Sequence, residues 1–419
     1  MCRSGLLETV AANRCLLFTL AVALVVRMVL AVVIQHRVDQ PPSRLCLIAG
    51  DAEGYWELAQ HLVAMEDFAI YEPPRYVLRV PGFPVVLAMS QALFGSNVFA
   101  TRCLLACIGT AACGLTYWLG RELVDETTGL IAAAYTALSP TMALFSVLIL
   151  SETLFAFTLL LSLITMVRLV RPNGTDATAG VMVRALITGG LIGLATLVRP
   201  TWLYVGVLIA AVIIVLGEGA RRFKLLCLAG MLLGVGLSMA PWAVRNGLVT
   251  GHLVFTTLWA GPSLYDGLNP QATGDSDMRF VETDRLFEQL SEYEVDREYS
   301  RRAWRFAAEN PGRVLWLAWK KQQRYWSLVP NADQFRDVRL QVVVFLAVLP
   351  LLGFAIYGAW LSQHKPLTLV ATTGALLLFA GLHLLFVGSL RYRLPAEYPL
   401  SVLAAVGVRQ LFLRLKRAA

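Results

Sequence analysis

The sequence predicts an all-α polytopic membrane protein of about ten transmembrane helices, with external juxtamembrane helices and a small external loop region. Three observations predict it. Hydrophobic residues make up 57% of the 419 residues and charged residues only 15%, with a mean hydropathy of +0.63. Several apolar runs reach the roughly 20 residues needed to cross hydrocarbon. Basic residues gather at alternate junctions between those runs, as a positive-inside arrangement requires. The same bias accounts for the net charge of +8, so no nucleic-acid partner is expected and the bilayer is.

The first span covers 15–35 and follows Arg3 and Arg14. It is long enough to cross and lacks a convincing cleavage site, so it reads as a span and not as a removable signal. A first external loop, 36–96, holds Asp51 and the turn Arg79-Val80-Pro81-Gly82-Phe83-Pro84. Within it, 85–95 is apolar but short, and reads as an interfacial or re-entrant helix. Spans follow at 98–119, 128–144, 147–167, 185–198, 202–216 and 225–244. A large external region, 246–337, comes next, and 340–361, 367–387 and 398–413 complete the bundle as C-terminal helices over 340–413. The whole chain, 1–419, reads as one membrane-embedded domain.

Charge sets the topology. If 85–95 does not cross, then Arg121, the Arg168/Arg171/Arg184 group, Arg221, Arg222, Lys224, Lys365 and the Arg414–Arg417 tail share one side with the N-terminus. That side is the cytoplasm. Asp51 and the large external region then share the opposite face. Residues 245–337 carry 13 of the 28 acidic residues and 12 of the 36 basic ones, which makes them water-facing. Within them, 282–310 reads as a charged helix ended by Pro311-Gly312. Residues 314–326 interleave Trp316, Trp319, Tyr325 and Trp326 with Lys320, Lys321 and Arg324, a mixture suited to a helix at the membrane surface.

Four polar clusters map to the external ends of spans: Asp51 with Glu53, Arg75 with Arg79, Ser151-Glu152, and Arg391-Tyr392-Arg393 with His383 below it. Tyr55 lies one turn beyond Asp51, and Arg199 and Arg245 stand at two further external helix ends, where arginines commonly snorkel. Ionisable residues at membrane depth are costly and mark function by default. Arginine forks bind phosphate oxygens in pairs, and a carboxylate can take the proton of an alcohol. A phosphate on a sugar's anomeric carbon already leaves well, so its transfer needs one base and cationic stabilisation, without the acid-and-base pair of a glycosidase.

Other chemistries find no support. The five histidines show no His-x-x-His spacing, there is no Cys-x-x-Cys pair, and no metal is expected. Neither a phosphate-binding Gly-x-x-x-x-Gly-Lys loop nor a Gly-x-Ser-x-Gly elbow occurs. The cysteines lie mostly in apolar runs and imply no disulfide framework. Asn173-Gly174-Thr175 matches a glycosylation sequon but falls on the cytoplasmic side of this topology.

Asp51-Ala52-Glu53-Gly54-Tyr55, Arg79 through Pro84, Ser151-Glu152-Thr153-Leu154-Phe155 and Arg391-Tyr392-Arg393-Leu394-Pro395 stand in that order along the chain. Together with Val198 through Trp202 and Ala240 through Asn246, the ordered set resembles the bacterial GT-C glycosyltransferases that use polyprenyl-phosphate sugars. It is most similar to their protein mannosyltransferase and aminoarabinose transferase branch, from about residue 15 onward. The resemblance implies inverting transfer from a lipid-phosphate sugar on the extracytoplasmic side, to a glycolipid, polysaccharide or protein acceptor in the envelope, with no cofactor. It implies Asp51 as base or its close partner, Arg79 on the lipid phosphate and Glu152 lining the cavity; beside it, Arg75, Arg391 and Arg393 read as further phosphate-binding cations. Tyr55, Arg199, Arg245 and His383 are cavity candidates. Two departures stand out: the acid pair is split between Asp51 and Glu53, which weakens the role of Glu53, and no C-terminal periplasmic domain is seen, which leaves acceptor recognition to 246–337. The rival class is a lipid or sugar-lipid transporter. It expects charges near the bilayer midplane and paired half-helices, whereas these charges gather at one face.

Overall fold

A computed structural model describes residues 2–41, 43–47, 50–170, 178–331 and 337–418. These residues are α-helical with intervening turns, and an isolated bridge between Ile70 and Arg75 is the extended pairing recorded among them. The sequon at 173–175 and Arg171 lie outside the described residues.

Ten stretches of helix follow the ten expected spans in order. They are α1 (Cys2–Asp39), α4 (Val98–Leu123), α5 (Glu126–Leu138) with α6 (Pro140–Phe145), α7 (Glu152–Leu169), α8 (Thr178–Thr196), α9 (Trp202–Leu216), α10 (Arg221–Thr250), α15 (Val338–Leu361), α16 (Pro366–Leu382) and α17 (Leu390–Ala418). Six of them are long and apolar enough to cross a membrane, and α9 and α16 are shorter apolar helices. Between the spans lie α2 (Asp51–Ala64), α3 (Gly82–Phe94), α11 (Ala260–Gly267), α12 (Arg279–Asp284), α13 (Glu292–Glu309) and α14 (Pro311–Tyr325).

Helices in a bilayer gain no hydrophobic drive from one another, so their contacts depend on close backbone approach. The α8–α10 pair is built this way. A Cβ at Gly189 would fall 1.9 Å from the Met231 carbonyl oxygen, and one at Gly234 would fall 2.2 Å from that of Leu186.

The expected span at 128–144 is interrupted. Pro140 opens α6 after a non-helical Ser139, because proline cannot continue the preceding helix. Buried carbonyls freed at such a break need donors. Arg27, buried in α1, donates to the Thr136 oxygen at 3.0 Å and the Ala137 oxygen at 3.1 Å. Beyond α6 the chain runs through buried turns, not helix, from Ser146 to Ser151. Arg102, buried in α4, donates to the Val147 oxygen at 2.8 Å. Two arginines therefore hold the irregular segment that ends at Glu152.

Three further boundaries differ from expectation. The charged helix at 282–310 is divided into α12, a single 3-10 turn at Leu286–Glu288, and α13. Ser291 starts α13 as half of a reciprocal capping box with Glu294, which outweighs helix continuation. Pro311 does not merely end that helix; it stands in the first turn of α14. Arg391 is helical as well, in the first turn of α17, which starts at Leu390, eight residues before the span expected at 398.

Candidate active site

The short helices α2 and α3 bring the first site residues together. Gly50 precedes α2 at φ +83°, a conformation that suits glycine, and its N–H donates to Glu53 Oε2 at 3.2 Å. Glu53 is exposed and closes the helix N-terminus. Asp51 is thereby left to point elsewhere. Arg79 Nη2 donates to Asp51 Oδ1 at 2.5 Å, and Arg391 Nη2 lies 2.9 Å from Oδ2. The Arg79 guanidinium also sits 5.1 Å from the ring of Tyr55, which packs edge-on against Phe83 at 5.0 Å.

Arg391 reaches further. Its Nε donates to Glu152 Oε1, and Arg199 Nη2 donates to the same oxygen at 2.7 Å. Glu152 is fully buried, and its second oxygen, Oε2, has no hydrogen-bond partner among the described residues. Arg199 also approaches Ser151 Oγ at 3.4 Å and the Tyr392 ring at 5.6 Å. The result is one alternating chain, Arg79–Asp51–Arg391–Glu152–Arg199, in which three guanidinium groups face two carboxylates.

Arg79 and Arg199 share a scaffold contact. The Gly82 N–H donates to the Leu197 oxygen at 2.8 Å, and a Cβ at Gly82 would come within 2.6 Å of that oxygen. Only glycine lets the turn after Arg79 dock on the turn before Arg199.

Electrostatics define the resting state. Burial alone would push the Asp51 carboxyl up, but Arg79 and Arg391 outweigh it and hold that group well below the ordinary carboxylate range. Among the described residues, no group of three or more His, Cys, Asp or Glu side chains gathers where a metal could bind.

The remaining candidates are placed elsewhere. Arg75 stands in an aromatic cage, 3.9 Å from the Phe287 ring, 4.8 Å from Tyr71 and 5.4 Å from Trp259. Arg393 is buried in the bundle, paired with Glu397 one turn along α17 at 2.6 Å and donating to the Tyr325 oxygen at 2.8 Å. Arg245 donates to the oxygens of Tyr76 at 2.6 Å and Phe68 at 3.1 Å. His383 donates through Nδ1 to the Val387 oxygen at 2.6 Å and stacks on Tyr392 at 4.7 Å, so it supports the wall behind Arg391. A small cavity of about 100 Å³ opens beside Arg391, walled by Pro140, Leu144, Phe145, Leu340 and Leu390.

Residues 78–244 match the family model described as dolichyl-phosphate-mannose-protein mannosyltransferase, a stretch that contains Arg79, Glu152 and Arg199. Among solved structures, the apo oligosaccharyltransferase of Archaeoglobus fulgidus is similar at TM-score 0.63 and 16% identity, over 96% of this chain and 51% of that one. The AglB oligosaccharyltransferase of the same organism, in complex with an inhibitory peptide and a dolichol-phosphate, gives 0.53 at 18% identity over 96% and 51%. ArnT from Cupriavidus metallidurans, bound to undecaprenyl phosphate, gives 0.43 at 16% identity over 94% and 77%. No relative is found among curated protein sequences. The chain spans about half the length of the archaeal structures it matches, and it has the GT-C fold of membrane glycosyltransferases.

Proposed function

We propose that this chain is an integral-membrane glycosyltransferase. It moves a sugar from a polyprenyl-phosphate donor to a hydroxyl of an envelope glycolipid, polysaccharide or protein, with inversion. It resides in the cytoplasmic membrane with both termini inside and the site on the extracytoplasmic face. The observation that carries this reading is the alternation of three arginines with two carboxylates. One guanidinium in excess matches the single negative charge of a sugar phosphodiester. The match with the mannosyltransferase family model over 78–244 and the dolichol-phosphate bound to a protein of the same fold support a lipid-phosphate donor.

The chemistry is a single displacement. Asp51 takes the proton of the acceptor hydroxyl as its oxygen forms a bond to the anomeric carbon. The bond from that carbon to the phosphate oxygen breaks, and its electron pair leaves with the phosphate. The leaving group then carries a second negative charge, which Arg79 and Arg391 stabilise by paired hydrogen bonds. Attack opposite the leaving group inverts the anomeric centre. Asp51 is a weak base while both arginines hold it, because basicity falls with pKa. The donor phosphate competes for the same two forks, so donor binding is also what frees the base. Glu152 stays on the far side of Arg391 and, with Arg199, fixes its direction.

Replacement of Asp51 by Asn tests the reading. Asn preserves the shape but removes the basic oxygen, so transfer should fall about 10²–10⁴-fold. Binding of polyprenyl phosphate should persist or tighten, because the rival carboxylate is gone. Purified protein in detergent, assayed for transfer to an acceptor extract and for lipid-phosphate binding, gives both numbers. Near-normal transfer by Asp51→Asn would sink both the mechanism and the enzyme reading centred on this loop.

A further inference from the structure

Residues 76–77, which lead into Arg79, have no secondary structure of their own to hold them. All four of their backbone polar groups are held from elsewhere. Glu292, at the start of α13, accepts the Tyr76 N–H through Oε2 at 2.9 Å and the Val77 N–H through both carboxylate oxygens at 3.1 Å. The Tyr76 oxygen accepts from Arg245 Nη1 at 2.6 Å, and the Val77 oxygen accepts from the Leu258 N–H at 2.9 Å. Downstream, the Gly82 N–H is tied to Leu197. Arg79 is therefore suspended between two fixed points, and a side chain from the external region, more than two hundred residues away, forms the first of them.

We propose that Glu292 is a positioning residue for Arg79, so that the external region sets how the lipid-phosphate cation is presented. This rests on the phosphate-binding role of Arg79 given above. The geometry supports an acid at this position. A carboxylate offers two oxygens to two successive N–H groups, and charge-assisted hydrogen bonds are the stronger kind. Burial pushes the Glu292 carboxyl up, while the two N–H donors, Arg75 and Arg245 act to keep it ionised. Arg75, caged by Phe287 and Trp259 of the same region, fastens the preceding turn. Glu294, two residues on, is exposed and shares the α13 capping box with Ser291. It is therefore a control for a purely structural loss.

The experiment measures binding of polyprenyl phosphate to the full-length protein in detergent, with the melting temperature recorded alongside. The variants are Arg79→Ala, Glu292→Ala, Glu292→Gln, Glu294→Ala and the Arg79→Ala/Glu292→Ala double. Glu292→Ala should weaken binding about tenfold, with Glu292→Gln between it and wild type, since one amide oxygen remains to accept. The double variant should bind no worse than Arg79→Ala alone, because residues acting as a unit are not additive. Glu294→Ala should melt earlier and bind normally. Normal binding by both Glu292 variants, or full additivity in the double, would overturn the proposal. Wild-type binding by Arg79→Ala would instead remove the premise, and the functional reading with it.

Discussion

Arg391, in the first turn of the last helix, places Nη2 2.9 Å from Oδ2 of Asp51, in the first turn of the second. Neither side chain is more than about a third exposed, at 20% and 32%. This pair closes the site: it joins the acid that follows the first span to the end of the chain.

Arg391 to Ala should therefore lose two partners at once, Asp51 and Glu152. Glu152 then stays buried with Arg199 as its remaining cation, and breaking part of a buried ion cluster destabilises, so lower stability should accompany lost transfer. Arg391→Lys should restore part of the stability but little of the transfer, since an ammonium cannot fork between two carboxylates. Arg75→Ala, in contrast, should lower the melting temperature and leave lipid-phosphate affinity within a few fold, because its guanidinium is engaged by aromatic rings. Equal loss of affinity in Arg75→Ala and Arg79→Ala would contradict that placement.

Gly82 should not tolerate a side chain. A Cβ there meets the Leu197 oxygen at 2.6 Å, the Leu197 carbon at 2.9 Å and Val198 Cγ2 at 3.0 Å. Forced shifts of this kind cost about 1–3 kcal/mol. Gly82→Ala should melt earlier and transfer more slowly, because Arg79 and Arg199 move apart. Gly312→Ala, in open space on α14, should be neutral or stabilising by up to about 1 kcal/mol. Equal melting temperatures for the two variants would refute the docking role.

Lys321 gives a pH signature. It is fully buried on α14 and donates to the Leu385 oxygen at 2.5 Å and the Leu384 oxygen at 3.2 Å. Burial pulls its ammonium down to about 8, although Asp266 draws it the other way. An unfolded lysine titrates near 10.4, so between those two values the unfolded chain binds more protons. Stability from this group should rise with pH from about 8 to about 10.4. Thermal melts across that window should show the rise in the wild type, and Lys321→Met should flatten it. An unchanged slope in the variant would assign the rise to another group.

Long apolar runs bounded by arginines specify a helical membrane bundle without reference to distant contacts, because spanning is a property of one segment and its solvent. The acid at 51 and the arginine at 79 stand out for the same reason: each lies at the edge of an apolar stretch, where a charge needs a partner. Which partner was not legible. Arg391 and Arg393 are two residues apart on one helix, and the twist of α17 sends the first to Asp51 and the second into the core against Glu397. Arg75 and Arg79 differ in the same way, one entering an aromatic cage and the other the carboxylate cluster. Glu53 is taken up by the helix end, and Glu292 lies within the 282–310 stretch, which by sequence reads only as a charged helix. Local sequence reports period, polarity and caps. Pairing across hundreds of residues depends on how closely backbones approach, and here that was decided at contacts such as Gly82 on Leu197, which only the packed bundle contains.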